Sequence, residues 1–106
     1  MYIHIRHYER PDVRFIWDER NNDANKRKHG VSFEIALLVF DDPYHLTRQD
    51  REVDGETRWQ TIGFVNGIQV LLVAHTVEEA DDEETIRIIS ARRATPQERK
   101  IYAQGN

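Results

Sequence analysis

The sequence has no cysteine, which excludes a disulfide scaffold and any thiolate metal site. It has no apolar run approaching the length of a membrane span, and its N-terminus lacks the continuous apolar core of a signal peptide. A soluble, cytoplasmic protein with no membrane partner is therefore expected. Internal repeats, low-complexity tracts, zinc-ligand spacings, phosphate-binding loops and dinucleotide fingerprints are all missing, so no cofactor is expected. His4 and His7 have no third histidine or carboxylate at a supporting spacing, and no metal site is assigned to them.

With 106 residues, the chain is one domain, large enough for a core without covalent staples. Its formal net charge of −4 argues at first against a nucleic-acid partner. The location of that charge weakens the argument. Glu78, Glu79, Asp81, Asp82, Glu83 and Glu84 crowd one segment, expected to be a solvated loop because like charges repel and resist burial. The rest of the chain is net positive and has room for a basic surface.

The most informative stretch runs from Thr85 to Arg99. Its first half is dense in β-branched residues and reads as a strand buried on at least one face. Its second half is a helix start: Thr95 caps, Pro96 suits the first helical position, and Glu98 falls where a capping box places a carboxylate. The helix is expected to run to about Ala103. Arg87, Arg92 and Arg93 surround this strand-to-helix joint. They either pair with acidic residues elsewhere or clamp an anion, phosphate being the best match to guanidinium geometry.

Upstream, residues 1–12 alternate apolar and polar side chains before Pro11, as an edge strand or a loose extension. The domain proper is placed at residues 13–103, leaving 104–106 as a tail. Val13 to Trp17 is a short strand candidate, and Asp18 offers an N-cap. Glu19 to His29 is a polar helix stopped by Gly30. Its basic last turn, Lys26 to His29, suits the helix dipole. Ser32 caps a second, nearly all-apolar helix from Phe33 to about Phe40, ended by Asp41-Asp42-Pro43. Tyr44 to Asp50 is a further strand candidate, and Arg51 to Glu56 a charged loop.

Arg58 to Val65 and Ile68 to Thr76 flank Asn66-Gly67, the preferred pair for a two-residue type I′ hairpin. That turn predicts Val65 opposite Ile68, Ile62 opposite Leu71 and Arg58 opposite His75, with Cβ atoms about 5 Å apart. The acidic segment then leads antiparallel into the Thr85 strand. If Arg87 faces as His75 does, Arg58, His75 and Arg87 form one cluster. Arg92 has the opposite parity unless a bulge near Ser90 turns it.

Several of these segments are similar to one known family. Phe15-Ile16-Trp17-Asp18, Asn22, Asn25 and the block Arg27-Lys28-His29-Gly30-Val31-Ser32-Phe33-Glu34 match. So do Val39-Phe40, Asp42-Pro43, Arg58, Ile62-Gly63, Val73-Ala74-His75-Thr76, Ile86 to Arg92, Glu98-Arg99 and Tyr102. Together they resemble the BrnT family, the ribonuclease toxins of type II toxin–antitoxin pairs, which share the RelE-like fold. The resemblance spans about Val13 to Tyr102. It implies an α+β domain with two N-terminal helices packed on an antiparallel sheet, and a C-terminal helix. It also implies metal-independent RNA cleavage and neutralisation by a BrnA-like antitoxin, whose ribbon-helix-helix part would bind operator DNA. Three positions depart from the pattern: Asn21 stands in place of Lys, Lys26 in place of an apolar residue, and Ile35 in place of Glu.

Metal-free RNA cleavage needs a base for the 2′-hydroxyl, cations for the charge on phosphorus and an acid for the leaving oxygen. Histidine suits either proton-transfer role, which makes His29 and His75 candidates. Arg58, Arg87 and Arg92 would supply the phosphate clamp. Lys26, Lys28 and Arg93 are further RNA contacts, and Tyr102 or Trp59 would stack on an unpaired base. Each has an ordinary alternative: His29 as a solvated helix end, His75 as a mere cross-strand neighbour, Tyr102 as core. The second functional reading is a catalytically inactive toxin-fold protein that acts only with its DNA-binding partner in transcriptional autoregulation.

Overall fold

The computed structural model describes residues 5–105, apart from the side chain of His7; His4 lies outside the described residues. Two strands open the chain, β1 (Ile5–Arg10) and β2 (Val13–Asp18), followed by helices α1 (Glu19–His29) and α2 (Phe33–Ala36) and a 3-10 turn (Leu37–Asp41). Strands β3 (Leu46–Val53), β4 (Glu56–Val65), β5 (Gln69–Ala80) and β6 (Glu83–Arg93) form a meander, and α3 (Pro96–Gln104) ends the chain. No helix of the described residues is long and apolar enough to cross a membrane.

The strands make one six-stranded sheet in the order β1-β2-β6-β5-β4-β3. The expected antiparallel sheet is in fact mixed, because β2 lies parallel to β6. The helices return the chain so that β3 runs against β2, and the meander's reversals then turn β6 to the direction of β2. The segment 5–10 is an edge strand of this sheet, fully paired with β2. Its Tyr8 stacks on Trp17 at 5.1 Å, and its Arg10 lies over the Phe15 ring.

Helix α1 forms as its caps dictate. Asp18 accepts from the Arg20 amide, and Gly30 closes the helix at φ 72. The helix has no apolar stripe; its buried residues are Asn22 and Asn25. Asn22 accepts from the Phe33 amide at 2.8 Å and donates to Glu34. Asn25 donates to the carbonyls of Val31 and Ala91 and accepts from the Ala91 amide. Side-chain amides thus replace hydrophobic contact as the glue between this helix and its neighbours.

The expected second helix splits into α2 and the 3-10 turn, which carry Phe33, Ala36, Leu37 and Val39 into the core against Phe15, Trp17, Leu71 and Ile88. The turn crosses β4 at Gly63, where a Cβ would stand 2.8 Å from the Val39 carbonyl oxygen. Only glycine permits that approach.

Three hairpins differ from expectation, the first because residues 51–53 and 56 belong to paired strands rather than to a charged loop. Asn66 and Gly67 form the left-handed turn, closed by Ile68 N–H donating to Val65 at 3.1 Å. The ladder, however, starts at Val65–Gln69 and leaves Ile68 outside it, 79% exposed. Ile62 therefore pairs with Leu72, and Trp59, not Arg58, pairs with His75. The acidic segment is also not a loop. Asp81 and Asp82 adopt positive φ in a tight turn, and Glu79 pairs with Glu84 beneath it. Asp tolerates the left-handed region, so the strands continue to the tip despite the like charges.

Candidate functional site

Register decides which charged side chains share a face. From the Thr76–Arg87 pair, the β5–β6 ladder passes through a bulge to Ala74–Ser90 and Leu72–Arg92. The bulge leaves Ile89 unpaired, so Arg87 and Arg92, of opposite parity in a regular strand, fall on one face. Gln60 pairs with Ala74 and Ile62 with Leu72, which places Arg58 and Glu56 on that face too. It is the face turned away from α1 and α2.

Here Arg58 and Arg87 meet on a single carboxylate. Arg87 Nη2 donates to Glu56 Oε1 at 2.6 Å, and Arg58 Nε stands 3.6 Å from the same oxygen. That Arg58 Nε is buried and makes no hydrogen bond among the described residues, so only its ion pair with Glu56 engages it. Glu56 and Arg87 are half-exposed. They line a cavity of about 280 Å³ floored by Ile16, Thr76 and Thr85, with Glu78 at its rim.

Two neighbouring hollows are linked in turn to this cavity by shared residues. Arg87 and Ile16 also border a hollow that reaches Asp18 and Asn21. Asn21 in turn borders a third hollow with Lys28, His29 and Ser90. Linked through these shared residues, the three hollows follow one another as a groove from the Glu56 pair past the C-terminal end of β2 to the end of α1. His29 and Lys28 line one end and Glu56 and Arg87 the other, while Arg58 reaches that end only through its ion pair with Glu56.

The remaining candidates stand elsewhere. Arg92 shares the face, but both its terminal nitrogens donate to Glu98, at 2.8 and 2.9 Å. The Arg92 hydrogen bonds, opposed by burial and joined by the Thr95 amide, hold the Glu98 carboxyl down at about 2. Arg93 is exposed and donates to Gln69, and Lys26 pairs with Asp23. Tyr102 sits at the far corner, donating to Asp42 at 2.5 Å. Burial and this carboxylate raise its hydroxyl to about 12.

His75 does not join the arginines. The one-residue shift of the hairpin turns it to the helix-covered face, where it is 1% exposed and packs edge-on against Phe40. Its Nδ1 lies 3.1 Å from the Thr76 carbonyl and its Nε2 2.7 Å from Thr61 Oγ1. A carbonyl only accepts, so the neutral ring carries its proton on Nδ1 and accepts from Thr61. Burial lowers its pKa, opposed in part by the Thr76 carbonyl. Trp59, its cross-strand partner, lies on the same helix-covered side.

Sequence reasoning left out Glu56, assigning it to a charged loop. The signal was present. Asp54-Gly55 carries the same turn chemistry as Asn66-Gly67 and adopts φ 52 and 80. Read that way, it starts β4 at Glu56, two residues before Arg58 and therefore on its face.

Comparison with known proteins agrees with this fold. Among curated proteins no match is found. The crystal structure of the Brucella abortus ribonuclease toxin, BrnT, is similar at 23% identity, with a TM-score of 0.51, covering 74% of this chain and 92% of that one. The family described as the ribonuclease toxin, BrnT, of type II toxin-antitoxin systems matches residues 17–98. The chain belongs to the BrnT family of ribonuclease toxins.

Proposed function

We propose that this protein is a metal-independent endoribonuclease that cuts single-stranded or translating mRNA in the cytoplasm and so inhibits translation and growth. A BrnA-like ribbon-helix-helix antitoxin neutralises it, and the pair binds operator DNA through the antitoxin. Residues 13–103 act as the toxin domain, to which β1 adds an edge strand. The observation that carries the reading is the convergence of Arg58 and Arg87 on Glu56, beside a cavity that Glu56 and Arg87 line, in a chain of a ribonuclease toxin family.

Two guanidiniums at one point can hold both non-bridging oxygens of a phosphodiester and stabilise the charge that grows on phosphorus. That is the work a metal ion does in other nucleases. Lys28 and His29, at the far end of the groove, contact the flanking strand. Lys26 and Arg93 add charge around it. Arg92 contributes only when Glu98 releases it, and His75 and Tyr102 support the fold beneath and beside the site.

The test is induction of the chain alone in a bacterium, with total RNA followed over time, beside the Arg58→Ala/Arg87→Ala double variant. Growth arrest with RNA decay only in the unmodified culture is expected. Arrest in both cultures moves the site elsewhere, and arrest in neither, with soluble protein present, favours a protein that acts only in transcriptional control.

A further inference from the structure

Among the described residues, Glu56 is the one carboxylate that both Arg58 and Arg87 touch. Half-exposed ion pairs add at most about 1 kcal/mol to stability, so the fold has little need of it there. Two guanidiniums meet one carboxylate here and Glu78 lies at the rim, so the charges balance and an anion is held through directed guanidinium N–H donors rather than through net charge. Each guanidinium has five N–H donors. Arg87 and Arg58 therefore have donors to spare beyond those directed at Glu56, and can hold a phosphodiester and Glu56 together.

In RNA the 2′-hydroxyl lies next to the 3′-phosphate. A carboxylate fixed to the guanidiniums that bind that phosphate is consequently within proton-transfer range of the hydroxyl. The histidines named above are not so placed. His29 borders the opposite end of the groove, and His75 is buried on the other face.

Resting on the ribonuclease reading above, we propose that Glu56 is the general base. Its ionised carboxylate takes the 2′-hydroxyl proton as the 2′-oxygen forms a bond to phosphorus. The bond from phosphorus to the 5′-oxygen breaks, and that oxygen leaves with the electron pair and takes a proton from water. The products are a 2′,3′-cyclic phosphate and a 5′-hydroxyl. The Glu56 carboxyl returns its proton to solvent. No oxidant, reductant or further co-reactant is required. The charged groups facing Glu56 are Arg58 on its own strand, Arg87 on β6 and Glu78 on β5.

The experiment uses the purified chain, a short single-stranded RNA and its 2′-deoxy analogue, which binds without a nucleophile. Glu56→Gln keeps the shape and removes the base. It is expected to lower kcat by about 100-fold or more, to leave the Kd for the 2′-deoxy strand within a few-fold, and to abolish the acid limb of the pH–rate profile. Glu79→Gln, in the acidic hairpin, removes the same charge outside the groove and is expected to keep wild-type kcat. Circular dichroism and a thermal melt confirm that each variant is folded. If Glu56→Gln cleaves at the wild-type rate, or both binds and cleaves better, Glu56 only competes for the arginines and the assignment falls while the ribonuclease stands. Should the wild-type chain cleave no RNA, the ribonuclease reading itself is overturned.

Discussion

The side-chain amide of Asn25 pairs with both the carbonyl and the amide of Ala91, at 2.8 and 3.2 Å. It does so where β2 has ended and β6 would otherwise show a free edge, since the β2–β6 ladder stops at Arg87. One residue of a helix thereby acts as the missing strand. The same Nδ2 also donates to Val31, which ties the turn after α1 to the sheet.

Replacing Asn25 by leucine keeps the number and branching of the side-chain heavy atoms and strands the amide and carbonyl groups it serves. Leaving buried backbone groups unsatisfied costs about 1–3 kcal/mol each before relaxation and water entry, so a net loss of roughly 2–4 kcal/mol is expected. Urea denaturation followed by circular dichroism measures it. A midpoint unchanged from wild type would show that α1 is held by something else.

Much of the fold is legible in the chain because its signals are local. Asp18 and Gly30 bound α1, and the Thr95–Glu98 capping box starts α3, as their neighbours alone dictate. The site was less legible. Arg87 and Arg92 share a face through a bulge whose position depends on the pairing of β5 with β6. His75 left the cluster because three residues, not the expected two, separate the paired positions of this hairpin: Asn66 and Gly67 turn as expected, but Ile68 drops out of the ladder. A shift of one residue reverses a face, and only tertiary packing sets it: Leu71 and Val73 belong to the helix-covered core. The role of Asn22 and Asn25 was hidden for the same reason, since a polar helix gives no sign in sequence of which backbone groups it will meet.

His75 predicts how stability depends on pH. Its folded pKa lies below the ordinary 6.5 because of burial, so the unfolded chain binds its proton first. Its contribution is complete above about pH 6.5 and is lost as pH falls through the folded value. Thermal melts between pH 7 and 5 are expected to show a falling Tm, with a smaller slope in His75→Gln. The titration of the His75 ring by NMR checks the premise directly; an ordinary titration near 6.5 would contradict the burial.

Asp42 joins three elements, accepting from Phe64 N–H on β4 at 2.7 Å, from Tyr44 N–H at 3.0 Å and from the Tyr102 hydroxyl on α3. Burial acts to raise its carboxyl, but the Phe64 amide, Tyr102, Tyr44 and His45 together bring it below the usual range. Tyr102→Phe deletes one donor and keeps the ring. It is expected to cost about 1–2 kcal/mol, read as a lower urea midpoint, and to remove the phenol that ionises only near 12. Ultraviolet titration of the wild type tests this: a Tyr102 ionising near 10 in the folded protein would rule out the bond to Asp42.

Glu98 serves two structures at once, accepting from Arg92 and from the Thr95 amide at the start of α3. Its carboxyl falls from the usual 4.5 to about 2, chiefly through Arg92. The unfolded chain therefore binds the proton first, and the stabilisation present above pH 4.5 disappears as pH drops towards 2. Glu98 is mostly covered but Arg92 is partly exposed, so solvent screening reduces the contribution to roughly 1–2 kcal/mol. Glu98→Gln is expected to lower stability by that amount at pH 7 and to flatten the acid transition between pH 4.5 and 2. It also releases Arg92 on the face that carries Arg58 and Arg87. If Arg92 belongs to the phosphate-binding set, Glu98→Gln binds a short single-stranded RNA more tightly than wild type, with a steeper dependence of binding on salt concentration. Equal affinity and an equal salt slope would confine Arg92 to capping α3 and leave the groove with two arginines.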